Sequence, residues 1–423
     1  MLLQEHIFVH LDRGRDKFQL LVMMLRKLFA VARGDCDTDN ADALSSQELL
    51  VSGHLYLKIV KEKLYDFLKG VKLSIFRELA NIRLRERVNF HDELYIKTKI
   101  SRQVDIGSKM QYFLATGNLK SDTGLDLMQA VGFAIVGEKL NIFRYLSHFR
   151  SVHRGAYFAE MKTTAVRKLL PESWGFLCCV HTPDGAPCGL LSHLTANCKV
   201  VAKPEATDDL PAVLQRLGMV SLLDERFSFP PLHLPVMLDG RLVGAIAPSR
   251  AEEFVRSLRV LKVTPKTGVP ATTEIAFIPQ TPAVFPGVFL ACGAARMIRP
   301  VRQCRLSPSA ARTGSPPRAE DCPIEWINTL EQMFMNIACH DTVPKGATHQ
   351  ELDAMCMLSF VASLTPFSDN NQSPRNMYQC QMAKQTMGTP CHNFRYRMDN
   401  KFYRIQASKR TLQNTRSSEY MVV

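Results

Sequence analysis

Pro235-Val236-Met237-Leu238-Asp239-Gly240-Arg241-Leu242-Val243 sets two apolar, β-rich runs on either side of a single Asp-Gly pair. Such a spacing predicts a β-hairpin closed by a type I′ turn, whose backbone twist suits that of the flanking strands. Working outward, Ser249-Arg250-Ala251-Glu252 reads as a cap that opens a helix to about residue 262. Thr273 to Pro279 reads as a further strand. Residues 306–323 are rich in Ser, Pro, Ala and Arg and read as a mobile loop. Beyond them the apolar spacing predicts helices at about 323–339 and 349–362. The first would carry Ile324, Ile327, Leu330, Phe334 and Ile337 along one side.

Toward the N-terminus the pattern is helical. Residues 16–32 are apolar nearly all round, which predicts a buried helix. Ser45-Ser46-Gln47-Glu48 has the form of a capping box, opening a helix to about residue 76. Leu50, Leu57, Val60, Leu64, Phe67, Leu68 and Val71 would form its buried face. Residues 105–200 mix short apolar runs with Gly, Thr-Pro and Asp-Gly punctuation, the signature of loop-rich structure on a scaffold. The whole reads as an α+β, multidomain chain. Its 423 residues fit about two to four structural units.

Composition narrows the function. The chain is 46% hydrophobic and 22% charged, well clear of disorder. No run approaches the roughly 18 apolar residues of a membrane span. Met1-Leu2-Leu3-Gln4-Glu5-His6 lacks the plan of a secretory signal, so an intracellular protein with no membrane partner is expected. Twelve cysteines are scattered without a C-x-x-C pair, and Cys178, Cys179, Cys292, Cys339 and Cys356 sit in apolar runs as reduced, buried thiols would. Cys178, Cys179, Cys188 and Cys198 lack the tight spacing of a zinc site.

The net charge of +13 is unevenly spread. Between Lys139 and Lys168 seven basic side chains face only Glu160, six arginines run from Arg296 to Arg318 without an acid, and seven basic residues from Arg395 to Arg416 face only Asp399. Concentrated positive charge suits a phosphate-backbone partner, although a solvated surface has the same composition. Two apparent motifs fail. Asp35-Cys36-Asp37-Thr38-Asp39 has the carboxylate spacing of a cation loop, but Asn40 and Ser46 stand where an EF-hand needs Gly and Glu. Gly132 to Lys139 mimics a phosphate loop, yet Glu138 and Leu140 replace the residues it requires.

Three longer stretches are more specific. The first is Tyr112-Phe113-Leu114-Ala115-Thr116-Gly117-Asn118-Leu119. The second runs from Tyr145-Leu146-Ser147-His148-Phe149-Arg150-Ser151-Val152-His153-Arg154-Gly155 through Arg167 to Trp174-Gly175, and closes with His181-Thr182-Pro183-Asp184-Gly185-Ala186-Pro187-Cys188-Gly189-Leu190. The third is Ser368 to Gln385, with Ser373-Pro374-Arg375-Asn376-Met377-Tyr378-Gln379 at its centre. In this order they resemble the second-largest (β-like) subunit of multisubunit DNA-directed RNA polymerases. His181-Thr182-Pro183-Asp184-Gly185 resembles the RNA polymerase I version, where the II and III enzymes usually show Glu-Thr-Pro-Glu-Gly.

That resemblance implies an architecture and a role. Residues 1–45 would be the lobe tail and 46–107 the returning part of the protrusion, a mainly helical remnant. A loop-rich fork would span 108–205, and mixed α/β external regions 206–270 and 271–345. The hybrid-binding region would begin at 346–406, followed by a divergent tail at 407–423. In nucleotidyl transfer, Arg375 would touch the incoming triphosphate with Arg167 nearby, and Asp184 would help hold the constellation in order. Arg150, His153 and Arg154 would follow nucleic-acid phosphates, while Gln379 and Gln385 would face the RNA. Ser373-Pro374 would cap their helix, with Arg375, Gln379 and Met382 on one face.

The implied partners are the largest and other polymerase subunits, template DNA, the RNA–DNA hybrid and NTPs. The implied location is the nucleus, in the nucleolus. Mg²⁺ would be bound mainly by the largest subunit. The family's zinc-bearing clamp segment, the first part of its protrusion and its wall have no counterpart here, so the chain reads as truncated at both ends. Ala383 stands where the family has Gly. A truncated, non-catalytic binding paralogue and a non-functional fragment are the competing readings.

Overall fold

The computed structural model describes residues 4, 6–83, 85, 88–103, 105–222, 233–281, 284–304, 322–339 and 346–388. The helices, in chain order, are α1 (Gly14–Arg33), α2 (Ser52–Ala80), α3 (Glu93–Ser101), α4 (Ile106–Thr116), α5 (Ile142–Phe149), α6 (Leu210–Arg216), α7 (Pro248–Val263), α8 (Thr329–Gln332) and α9 (Ser373–Gln385). The strands are β1 (Ser151–His153), β2 (Leu191–His193), β3 (Lys199–Val200), β4 (Val220–Ser221), β5 (Leu234–Leu238), β6 (Arg241–Ile246), β7 (Glu274–Ile278), β8 (Gly287–Ala291), β9 (Met297–Gln303), β10 (Ile324–Asn328), β11 (Ile337–Ala338) and β12 (His349–Gln350). The chain divides into two units, one of Met1–Leu49, Phe149–Val152 and Ala165–Thr389, the other of Leu50–His148, His153–Thr164 and Pro390–Val423. The architecture is a mixed α+β one.

In the first unit the hairpin forms as its sequence dictates. Leu238 pairs with Arg241, and Asp239 and Gly240 both adopt positive φ (46° and 78°), as a type I′ turn requires. This hairpin is the centre of a five-stranded sheet ordered β4-β6-β5-β8-β7, in which β5 and β8 run parallel. Alternate residues of β5 face opposite sides. Val236 and Leu238 join Leu210, Leu214, Phe254 and Leu258 of α6 and α7 on one side, whereas Met237 meets Leu20 and Met23 of α1 on the other. Covered on both faces, β5 is therefore a continuous apolar run. Helix α7 begins at Pro248 without a side-chain cap, so Ser249 is not the cap its sequence suggested.

A second sheet is ordered β10-β9-β12-β11, with β3 also on β9. Here the helix expected at 323–339 is corrected: Ile324–Asn328 is a strand antiparallel to β9, followed by the one-turn α8 and by β11. The reason is non-local. Glu325 points inward to Arg259 (2.6 Å) and His349 (2.9 Å), so a buried ionic cluster and pairing with Arg299–Arg302 outweigh the helical spacing. The helix expected at 349–362 is likewise replaced by β12 and the 3₁₀ turns Ala354–Met357 and Ala362–Leu364. The expected loop at 306–323 lies almost wholly outside the described residues.

Helix α1 is present but buries only one face within its unit. Asp16, Lys17, Leu20, Met23 and Ala30 are covered, while Phe18, Leu21, Met24, Leu25, Leu28 and Phe29 are exposed. In the second unit α2 starts at Ser52, and the supposed capping box is instead a 3₁₀ turn, Leu44–Ser46, in the first unit. Its buried side is centred on Ile59, which meets Met110 and Phe113 of α4 with Leu55 and Val60 alongside. The expected stripe through Leu57, Leu64 and Leu68 is exposed. Cys179 and Cys339 are also exposed rather than buried, and the described cysteines are free thiols.

Candidate functional site

The candidates for nucleotide and RNA contact in the first unit gather at two segments, each positioned by local chemistry. One is the loop from Thr182 to Leu191. Thr182 Oγ1 donates to Leu191 O (2.8 Å) and accepts from Gly189 N (3.1 Å), closing the loop at its base. Arg167, at the end of the 3₁₀ turn Ala165–Arg167, donates through Nη1 to Ala186 O (2.5 Å) and Cys188 O (2.8 Å). A Cβ on Gly189 would lie 2.5 Å from Arg167 O, and φ there is +78°, so only glycine lets Arg167 lie this close. Asp184 is exposed at the loop tip, beside Gly185 at φ +81°. The structure thus joins Arg167 to the Asp184 loop through backbone carbonyls.

Helix α9 is the other segment. Pro374 lies in its first turn and Gln372 holds the N-cap position without a side-chain bond, so Ser373 is the first helical residue rather than the cap. Asn376, Cys380 and Lys384 recur at i, i+4 and i+8 and are buried, with Asn376 Nδ2 donating to Ser368 O (2.8 Å). Arg375, Gln379, Met382 and Gln385 are consequently exposed. The Arg375 guanidinium lies 5.7 Å from the Tyr378 ring centroid, a partner the sequence reading missed although it stands three residues away. A cation, an aromatic ring and two amides on one anchored helix can engage a charged, planar ligand.

Arg150 is differently placed. Its Nη2 donates to Thr195 O (2.5 Å), Cys198 O (3.0 Å) and Ala196 O (3.4 Å), so the guanidinium clamps the turn after β2. In the second unit, His153 Nδ1 accepts from Gly155 N (2.9 Å), and the Arg154 guanidinium lies 5.0 Å from the Phe158 ring centroid. Gly155 has φ +115°, and Ala156 N donates to Gln129 Oε1 (2.9 Å). These contacts shape a loop that presents His153 on its surface.

The sequence reading also missed a buried histidine pair. His181 and His193 stack with ring centroids 3.6 Å apart and planes within 1°. His181 lay within a quoted motif, but nothing near His193 marks it as its partner. Burial first, then the charges of His193 and Lys384, depress the His181 pKa to about 2. Among the described residues no group of three metal-ligating side chains lies together, and Asp35 and Asp39 pair with Arg33 and Lys27 instead.

Three family models match the chain: RNA polymerase Rpb2, domain 3, over residues 135–200; RNA polymerase I, Rpa2 specific domain, over 243–299; and RNA polymerase Rpb2, domain 6, over 361–422. The third extends across most of the segment that sequence reading set apart as a divergent tail. A probable DNA-directed RNA polymerase I subunit RPA2 from Schizosaccharomyces pombe is 45% identical over 96% of this chain and 34% of its own length. The DNA-directed RNA polymerase I subunit RPA2 of Mus musculus is 46% identical over 97% of this chain and 35% of its own. In Saccharomyces cerevisiae the DNA-directed RNA polymerase I subunit RPA135 is 44% identical over 95% and 32%. The chain thus spans about a third of the length of these relatives. Over that stretch it belongs to the second-largest subunits of DNA-directed RNA polymerases, in the RNA polymerase I branch.

Proposed function

We propose that this chain acts as part of the second-largest subunit of RNA polymerase I and contributes nucleotide and RNA–DNA hybrid contacts to template-directed nucleotidyl transfer. The observation that carries the reading is the exposed face of α9, with Arg375 and Gln379 held outward by buried Asn376, Cys380 and Lys384. Nucleotidyl transfer places growing negative charge on the triphosphate, and a fixed cation there lowers the barrier by electrostatic preorganisation. Arg375 supplies that cation. Arg167 ties down the loop on which Asp184 stands, and Asp184 orders its neighbours by charge. Gln379 and Gln385 offer amides to the RNA end. His153 and Arg154 follow phosphates, and Arg150 keeps the turn after β2 in shape.

The partners are the largest and other polymerase subunits, template DNA, the hybrid and NTPs, and the setting is the nucleolus. The lobe, protrusion, fork, external and hybrid-binding divisions follow the same reading. Mg²⁺ would be bound mainly by the largest subunit, since Asp184, among the described residues, is a lone carboxylate without the cluster that such an ion needs. No helix among the described residues is long and apolar enough to cross a membrane.

The test is a pull-down of the tagged chain from nuclear extract, probed for the largest subunit, with promoter-independent RNA synthesis measured on the eluate. Co-purifying synthesis that falls with Arg375→Ala supports the reading. Nucleic-acid binding without the large subunit would reduce it to a basic binding module, and the absence of both interactions would overturn it.

A further inference from the structure

The buried histidine pair lies where three stretches of the first unit meet. Residues 176–178 run alongside 193–195: Thr195 N donates to Phe176 O (3.0 Å) and Cys178 N to His193 O (2.9 Å). Across from them, Ala196 N donates to Leu358 O (2.9 Å), which brings the 358–364 stretch against the same edge. His193 Nδ1 lies 3.0 Å from His181 O; since a carbonyl only accepts, Nδ1 carries the proton. His181 Nδ1 lies 2.7 Å from Ser359 Oγ. That same oxygen accepts from Ala362 N (3.2 Å) and so closes the 3₁₀ turn Ala362–Leu364, against which α9 packs.

Both rings and Ser359 are almost wholly buried, and His181 Nε2 has no hydrogen-bond partner among the described residues. Leaving a buried polar atom unsatisfied costs free energy that two leucines would avoid. Hydrophobic packing alone therefore does not account for imidazoles here. What two leucines could not supply is the pair of directional bonds, one to the base of the Asp184 loop and one to the turn against which α9 packs. Because His181 stays neutral, those bonds persist unchanged across the neutral pH range.

We propose that the stacked His181–His193 pair is a positioning device that fixes the Thr182–Leu191 loop, with Asp184 and the carbonyls that hold Arg167, to the Ser359–Leu364 turn against which α9, the helix that carries Arg375, packs. Its catalytic use rests on the polymerase reading above; its mechanical role does not.

Amide hydrogen exchange on the full chain tests it. Ser359→Ala and His181→Leu each sever the bond to the turn, and exchange should rise about fivefold or more in the 182–191 and 373–385 segments together. His181→Asn, whose amide can occupy the place of Nδ1, should keep both segments near the wild-type rate. A rise confined to one segment, or equal behaviour of the Asn and Leu variants, overturns the device. Should His181→Leu fail to fold, Ser359→Ala carries the test, since it removes a single hydroxyl. In the assembled polymerase the same variant should raise KM for nucleotide more than it lowers kcat. Coupled exchange with unchanged KM would support the device and count against the catalytic reading, whereas uncoupled exchange overturns the device whatever KM does.

Discussion

Replacing Glu274 by Gln should stabilise the chain at alkaline pH and leave it nearly unchanged in acid. Glu274 is buried on β7, where its Oε1 accepts from Leu330 N (2.9 Å) and Glu331 N (3.4 Å). Its nearest charged neighbours are already engaged. Arg259 and Lys262 face Glu325 and Glu331, while Arg296 donates to Gly293 O, Thr272 O and Asn328 Oδ1. A third carboxylate in that cluster has no cation of its own. Burial first, then the charge of Glu331, raises the Glu274 pKa from 4.5 to about 7, against the opposing pull of Arg296 and the two N–H groups.

The folded state therefore holds this proton more tightly than the unfolded chain. Stability from the group is intact below pH 4.5 and is lost as pH rises through about 7. At 1.36 kcal/mol per pKa unit, the loss approaches about 3 kcal/mol by pH 8.5. Glutamine keeps the Oε1 acceptor and removes the ionisation. Urea unfolding followed by Trp174 and Trp326 fluorescence, both in the same unit, should show the variant ahead by up to about 3 kcal/mol at pH 8.5 and level at about pH 4. Parallel pH dependences for the two proteins would refute the reasoning.

Three further outcomes follow from the site. Gly189→Ala should destabilise the first unit by about 2 kcal/mol or more, because alanine is strained at φ +78° and its Cβ meets Arg167 O; a lowered urea midpoint at unchanged slope would show it. Arg150→Ala should cost about 2–3 kcal/mol by releasing the carbonyls of Thr195, Ala196 and Cys198 that share its Nη2, read as a lowered urea midpoint. Arg375→Ala should leave the melting temperature unchanged, its side chain being exposed, while RNA synthesis by the assembled enzyme falls at least about tenfold.

What the sequence discloses depends on how far apart the deciding contacts lie. The Asp239-Gly240 hairpin was legible because its turn and both strands lie within one continuous stretch, Leu234 to Ile246. The exposed face of α9 was legible for the same reason: one helical period sorts Arg375 and Gln379 from Asn376 and Cys380. Residues 324–337 have equally good helical spacing yet fold as strand, one-turn helix and strand, because Glu325 answers to Arg259, 66 residues away. The His181–Ser359 bond, across 178 residues, was beyond any local pattern.

Charge density misleads for a related reason. Between Lys139 and Lys168 the basic excess suggests a phosphate-binding surface, yet several of its guanidinium groups also have partners within the fold. Arg144 pairs with Glu138 (2.7 Å), Arg150 and Arg167 bind backbone carbonyls, and Arg154 lies over Phe158. Arg299, from the second basic run, is buried against Glu351 (2.7 Å). An arginine has five donors in a rigid fork, so in a loop-rich chain it satisfies carbonyls that no strand or helix reaches. A run of arginines thus marks irregular backbone as readily as it marks a nucleic-acid partner. Arg375, by contrast, stands on a helix that satisfies its own backbone, and its side chain faces outward, open to a ligand.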